Sequence, residues 1–143
     1  MIHPTDEQLL SGIAKALKDT VLPELARGSA ARKQLQAAIE TLRRMAFAAP
    51  GRDAALAADN ADMAEVLRQV REILGQGATS FGNKDAMELN RALQAQLADL
   101  QAAIPPDLAP RITPLLTQLY ARMTDRALAL IPPPMPRTPR TPA

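Results

Sequence analysis

The chain has 143 residues and is rich in Ala and Leu, with two Phe, one Tyr and no Trp. This composition favours helix over strand, and the length suits one domain. The absence of cysteine excludes disulfides, zinc–thiolate sites and thiol nucleophiles, and a net charge of only +2 argues against a nucleic-acid-binding protein.

The first predicted helix begins at Thr5, whose side chain can cap it, with Gln8 completing a capping box. Apolar residues then follow at helical spacing, at Leu10, Ile13, Leu17 and Val21. Pro23 is expected to kink or end this helix because it lacks an N–H, and Gly28 is a natural terminator.

Two further helices are predicted between Ser29 and Leu74. Ser29 can cap the second helix, whose apolar stripe comprises Leu35, Ala38, Ile39, Leu42, Met45 and Ala46. The dipeptide Pro50–Gly51 is expected to stop it. A third helix is predicted from about Asp53 to Leu74, where Gly75 and Gly77 end it, and Asp59 and Asn60 could divide it into two pieces. The apolar residues of its second half are Met63, Val66, Leu67, Val70, Ile73 and Leu74.

Residues 75–82 form a glycine-rich loop, after which Asn83 or Asp85 can cap a fourth helix. Its apolar residues recur every three or four positions until the prolines that end it: Leu89, Leu93, Leu97, Leu100 and Ile104, then Pro105 and Pro106. A fifth helix is expected to begin between Asp107 and Pro114, with Thr113 as a suitable cap, and to run to Ile131. Its apolar side comprises Leu116, Leu119, Tyr120, Met123, Ala127, Leu130 and Ile131.

These segments predict an all-α protein. Residues 1–131 are interpreted as a single up-and-down bundle of four or five helices, and residues 132–143 as an extended proline-rich tail. The second and fourth helices have long, regular apolar stripes, and either stripe is compatible with a bundle core or with a dimer interface.

The sequence contains no recognisable catalytic, metal or cofactor site. The only histidine, His3, lies at the terminus, where a catalytic triad is not expected. The acidic residues between Asp53 and Glu65 lack the spacing of a calcium loop. The segment GQGATSFGNKD resembles a phosphate-binding loop only superficially, because Asn83 separates Gly82 from Lys84 and a helix precedes it instead of a strand.

A cytoplasmic location is predicted. The segment MIHPTDEQLL is polar and acidic where a secretory signal would be basic and then apolar. No uncharged apolar run approaches the roughly 20 residues that span a bilayer, so no membrane partner is expected.

Three features are candidates for binding a protein partner. Phe81 stands in the glycine-rich loop and is expected either to pack back onto the bundle or to dock on a partner. The second helix carries a basic group, Arg32, Lys33, Arg43 and Arg44. The spacing of prolines in the tail suits binding to grooves that recognise polyproline helices, and its composition is also typical of a simple linker or a disordered end. The candidate residues of the tail are Pro133, Pro136, Arg137, Pro139 and Arg140.

The segment TDEQLLSGIAKALKDTVLPEL, from Thr5 to Leu25, resembles the opening helix of a family of small bacterial helical proteins. The family pattern "LL..IA.FL+..VLP.L" is matched by Leu9, Leu10, Ile13, Ala14, Leu17, Val21, Leu22, Pro23 and Leu25. The resemblance continues over Ala31 to Met45 as the second helix, and it covers about a third of the chain. Members of this family accompany kinases similar to aminoglycoside phosphotransferases that act on small hydroxyacyl substrates in bacterial catabolism.

The resemblance implies a non-catalytic accessory subunit of such a kinase, with a protein as its partner. It transfers no catalytic residue to this chain. Two alternatives remain open at this point: a self-assembling homodimeric helical protein, and a bundle that binds an acyl or other apolar ligand between its helices. The low aromatic content counts weakly against the ligand-binding bundle.

Overall fold

The computed structural model describes residues 3–134, and within that range it contains four α-helices and no strand. The helices are α1 (Asp6–Ala16), α2 (Ala30–Ile73), α3 (Ala86–Ala102) and α4 (Ala109–Ala129). The predicted all-α class is therefore confirmed. None of the described helices combines the length and the apolar character needed to cross a membrane.

Helix α1 begins as local chemistry predicts, but its regular α-helical part ends at Ala16, before the predicted end at Pro23. The Thr5 hydroxyl accepts from the Gln8 N–H over 3.2 Å, and the Gln8 side chain accepts from the Thr5 N–H over 3.0 Å. After Ala16 the chain widens into a π-turn (Leu17–Val21) and then tightens into a 3₁₀-turn (Leu22–Glu24) that contains Pro23. Pro23 cannot continue the helical hydrogen bonds, and the change of helix type accommodates it.

Helix α2 is one helix of 44 residues where two were predicted. Its start is as expected, with the Ser29 hydroxyl accepting from the N–H of Arg32 over 3.2 Å. The predicted stop at Pro50–Gly51 is wrong, because both residues lie inside the helix. A single proline removes one helical hydrogen bond, here the one to the carbonyl of Ala46, and the helical bonds on either side of it remain available.

The chain divides into two compact units. Among the described residues, 3–50 together with 129–134 make the first unit, and Gly51–Leu128 make the second. In the first unit, Arg32 donates from Nη1 to the carbonyl oxygens of Leu22 (2.6 Å) and Leu25 (3.0 Å). These bonds fasten the turn after α1 to the start of α2. The buried hydrophobic residues among those described in this unit are Ala14, Ile39 and Ala46.

The second unit is built around one apolar core. Three helical segments contribute to it: the second half of α2, then α3, then α4. The buried members are Met63, Val66, Leu67, Val70, Leu93, Leu97, Leu100, Ile112, Leu116 and Leu119. All were on predicted apolar stripes except Ile112, which precedes the predicted cap at Thr113.

The α2–α3 connection (residues 74–85) returns along α2, so α3 runs in the same direction as the end of α2. Asn60 bonds to Ala86 at the start of α3, whereas Arg71 bonds to Gln96 further along it. Helix α4 runs the opposite way, since Arg126 near its end contacts Asp59 on α2. The connection has enough residues to span this distance when extended. A strict up-and-down order therefore applies to α3 and α4 but not to α2 and α3.

Glycine and aspartate define the ends of this return segment, residues 74–85. Gly75, at φ +67°, closes α2 with a Schellman motif in which the Gly75 N–H donates to Glu72 and the Gln76 N–H to Arg71. Asp85 caps α3, accepting from the N–H of Glu88 over 2.8 Å. Of the two predicted caps, Asn83 and Asp85, the structure uses Asp85.

Helix α4 begins at Ala109, inside the predicted interval. Pro110 occupies its first turn, where no N–H is needed. The predicted cap at Thr113 is wrong because Pro114 lies inside the helix. The helix ends at Ala129, and residues 132–134 follow without regular structure.

Candidate functional site

The first unit exposes an apolar surface on one side of its two helices. Leu9 and Ile13, one turn apart on α1, expose 48% and 49% of their surface. Met45 on α2 exposes 40%. Ala14 and Ile39 are buried, so they mark the sides of α1 and α2 that face inward. Leu9, Ile13 and Met45 all lie to the same side of the line that joins the two helix axes. We call these three residues the apolar face.

Helices α1 and α2 run antiparallel in this unit, which brings the members of the apolar face to similar heights. Ala49 and Pro50 lie beside Thr5 at the start of α1, while Arg32 reaches the carbonyls of Leu22 and Leu25 beyond its end. Met45 therefore falls between the levels of Leu9 and Ile13. Three exposed apolar residues at similar levels, on the same side of two neighbouring helices, form a candidate interaction surface.

The opposite side of the same helices carries basic residues, together with Phe47, which lies one turn from Arg43 on α2 and exposes 47% of its surface. Lys15, Lys18 and Arg43 line a shallow groove there, together with Asp19. Asp19 accepts from the Lys15 ammonium over 2.6 Å, and this hydrogen bond lowers the pKa of Asp19, with the charges of Lys15, Lys18 and Arg43 adding to the effect. We call Lys15, Lys18 and Arg43 the basic face.

The structure separates the four basic residues that the sequence grouped. Arg32 is turned towards backbone carbonyls and is half-buried. Arg43 belongs to the basic face, whereas Lys33 and Arg44 are exposed elsewhere on α2, and Arg44 pairs with Glu40 at 3.4 Å. Sequence reasoning missed Lys15 and Lys18, which reach Arg43 only because α1 folds back along α2.

The second unit contains a cleft of about 410 Å³ between the end of α2 and the return segment. Its lining combines apolar and charged side chains: Leu67, Arg68, Arg71, Glu72, Thr79 and Phe81. Phe81 is half-buried and packs against the core, which is the first of the two placements expected for it. The same ring also lines the cleft.

The two arginines of the cleft differ in their partners. Arg68 pairs with Glu65 at 2.7 Å and with Glu72 at 3.2 Å. Its hydrogen bonds, with one from Gln69, lower the pKa of Glu65 to about 2. Arg71 has no carboxylate within ion-pair distance among residues 3–134.

Arg71 instead donates to two neutral oxygens. Its Nη1 reaches the carbonyl of Gly77 at 3.2 Å, and its Nη2 reaches Oε1 of Gln96 at 2.8 Å. Its Nε is buried without a hydrogen-bond partner. The side chain also borders a second cavity of about 500 Å³, on the side of Gln96 and Asp99.

Polar contacts fix α3 and α4 against α2 in this unit. The amide nitrogen of Asn60 donates to the carbonyl of Ala86, and its oxygen accepts from Asn90, each at 2.8 Å. Arg126 bonds to Asp59 at 2.6 Å and to Asp62 at 2.5 Å. The acidic residues considered as a metal site in the sequence thus include two that bind an arginine 64 and 67 positions further along the chain.

The remaining sequence candidates lie in the tail. Pro133 is exposed. Pro136, Arg137, Pro139 and Arg140 lie outside the described residues, so their predicted role in partner binding stays a prediction. His3 is exposed ahead of α1.

Comparisons of the chain with protein-family models, curated proteins and solved structures found no match.

Proposed function

We propose that the protein is a non-catalytic accessory subunit that binds a partner enzyme in the cytoplasm through the apolar face of its first unit. The partner proposed is a small-molecule kinase of the phosphotransferase type that the N-terminal resemblance implies. The observation that carries the proposal is the exposure of Leu9, Ile13 and Met45 on the same side of α1 and α2.

Partner binding explains a surface that the isolated chain leaves in water. Burying apolar surface contributes about 25 cal/mol per Å², so three half-exposed side chains of this size provide a few kcal/mol on association. In protein interfaces a small central group of this kind often dominates the affinity. The apolar face is therefore suited to be the centre of an interface.

The resemblance bears on the same helix. Its matched positions include Leu9 and Ile13, which are exposed, as well as Ala14, which is buried. A pattern needed only for the internal packing of α1 would not require large apolar residues at the two exposed positions. Their presence supports an external role for this side of α1.

The basic face offers a way to orient the partner. Lys15, Lys18 and Arg43 stand against the single carboxylate of Asp19 within their groove. Charges at the edge of an interface chiefly affect its association rate and its orientation. We accordingly expect acidic residues on the partner opposite this side of the unit.

A tagged copy purified from its native cells tests the proposal. The unchanged protein is expected to retain a phosphotransferase-type kinase in stoichiometric amount, identified by mass spectrometry. The double variant Leu9→Lys/Ile13→Lys is expected to lose it while keeping its helical circular dichroism. A matched control, Gln36→Lys/Ala37→Lys, adds the same charge at exposed positions of α2 and should retain the partner.

Recovery of the unchanged protein without a stoichiometric partner would contradict the proposal. Light scattering on the purified protein addresses the homodimer alternative. A dimer that Leu9→Lys/Ile13→Lys converts into a monomer would assign the apolar face to self-association instead.

A further inference from the structure

We propose that the cleft between α2 and the return segment binds a small molecule with an apolar body and one carboxylate group, which Arg71 holds. This site lies in the second unit and does not depend on the proposed partner of the first unit.

The size and walls of the cleft suit a small amphiphile. Its volume of about 410 Å³ falls within the range of pockets that hold small molecules. Leu67, a core residue with 3% of its surface exposed, contributes apolar wall, as do Ala78 and Phe81. The only aromatic side chain of the glycine-rich loop thus borders the space into which an apolar group would fit.

The charges around the cleft favour a ligand with an anionic group beside Arg71. Arg68 is already neutralised by Glu65 and Glu72. Arg71 is half-buried and meets only a backbone carbonyl and a side-chain amide. A guanidinium partly removed from water is stabilised by a counter-charge, and Arg71 lacks one among the described residues.

The remaining donors of Arg71 favour a carboxylate. Each Nη atom carries two N–H groups, and the observed bonds use one from each. Two N–H groups of the guanidinium therefore remain to donate to a carboxylate, and such a charge-assisted bond is stronger than a bond to a neutral oxygen. Glu72 at the cleft disfavours a ligand with a second negative charge, which is the reason for proposing a carboxylate over a phosphate.

Titration of the ¹⁵N-labelled full chain with sodium hexanoate, and separately with neutral hexanamide, tests the site. Hexanoate is expected to cause saturable shifts confined to the amides of α2 and the return segment near residues 64–81. Its dissociation constant is expected to be at least about tenfold lower than that of hexanamide, because only the carboxylate pairs with Arg71. Equal binding of the two, shifts elsewhere, or no saturation would overturn the proposal.

The two arginines provide a matched pair of variants. Arg71→Gln is expected to weaken hexanoate binding about tenfold, whereas Arg68→Gln, in the same cleft, should change it less than twofold. The reverse order, or equal effects, would contradict the role of Arg71. If Arg71→Gln disturbs the return segment, the comparison of hexanoate with hexanamide on the unchanged protein decides by itself.

Discussion

The side-chain nitrogen of Asn60 donates a 2.8 Å hydrogen bond to the backbone carbonyl of Ala86, the first residue of α3. Asn60 exposes only 6% of its surface, and its oxygen is satisfied by Asn90. The amide therefore joins α2 to the start of α3 through both its donor and its acceptor. A buried polar group of this kind is costly to leave unpaired.

Asn60→Leu is expected to lower the free energy of unfolding by about 2 kcal/mol, because it removes the bonds that Asn60 makes to the side-chain amide of Asn90 and to the Ala86 carbonyl. Urea unfolding followed by circular dichroism measures the change. Asn83→Leu, at an exposed loop position, is the control and should stay within about 0.5 kcal/mol of the unchanged protein. Similar losses in both variants would contradict the role of the Asn60 network.

Gly75 and Gly77 allow the effect of backbone conformation on stability to be tested without the effect of side-chain crowding. Neither has a neighbouring atom where a Cβ would be added, but Gly75 has φ +67° and Gly77 has no positive φ. Gly75→Ala is expected to cost about 1 kcal/mol of stability, since alanine is strained in the left-handed region. Gly77→Ala should be nearly neutral. Thermal unfolding compares them, and equal midpoints would refute the argument.

The ion pairs of Arg126 predict a pH-dependent contribution to stability. Hydrogen bonding to Arg126, and secondarily to Arg122, lowers the pKa of Asp62 in the folded state. The stabilisation is therefore present above the unfolded carboxyl pKa of about 3.9 and is lost as the pH falls through the lower folded value. Asp62→Asn is expected to cost about 1 kcal/mol at pH 7 and much less near pH 2.

Urea unfolding of Asp62→Asn at both pH values measures this difference. Asp53→Asn is the control, because Asp53 is exposed and has no ion pair among the described residues. Its effect should stay within about 0.5 kcal/mol at either pH. A cost for Asp62→Asn that is the same at both values would show that the carboxylate charge is not its source.

Pro50 is expected to reduce the stability of α2. Pro50→Ala restores an N–H that can donate to the carbonyl of Ala46, and should raise the free energy of unfolding by about 2 kcal/mol, less the entropy that proline removes from the unfolded chain. Pro110→Ala, in the first turn of α4, gains no such bond and should not stabilise. Calorimetry distinguishes them, and a destabilised Pro50→Ala would contradict this reasoning.

Local sequence signals located most helix ends, because their causes are local. The caps at Thr5, Ser29 and Asp85 each depend on a side chain within three residues of the N–H that it accepts from. The apolar stripes likewise identified most of the core. The Pro50–Gly51 dipeptide does mark a boundary, but it is the boundary between the two units and not the end of a helix.

The candidate sites depend on contacts between residues that are far apart in the sequence. Arg71 and Gln96 are 25 positions apart, and nothing in their spacing indicates that they meet. They meet because the return segment places α3 parallel to the end of α2. Phe81 was recognised from its unusual surroundings, whereas Arg71 resembles any arginine on an amphipathic helix. Arg68 differs from it by the carboxylates of Glu65 and Glu72 on the same helix, whereas the contact of Arg71 with Gln96 depends on the direction of α3.

The continuity of α2 has a consequence for how the protein folds. Starting a helix is unfavourable because several dihedral angles are fixed for the first hydrogen bond, whereas each added residue is fixed at little cost. The ten-residue core of the second unit anchors α2 at Met63–Val70. The first unit has few buried side chains among its described residues. Its part of α2 can form by extension of the anchored helix, without a separate nucleation step. Amide protons should therefore exchange faster in residues 30–49 than in residues 63–73, with protection decreasing from the anchored half towards Ala30.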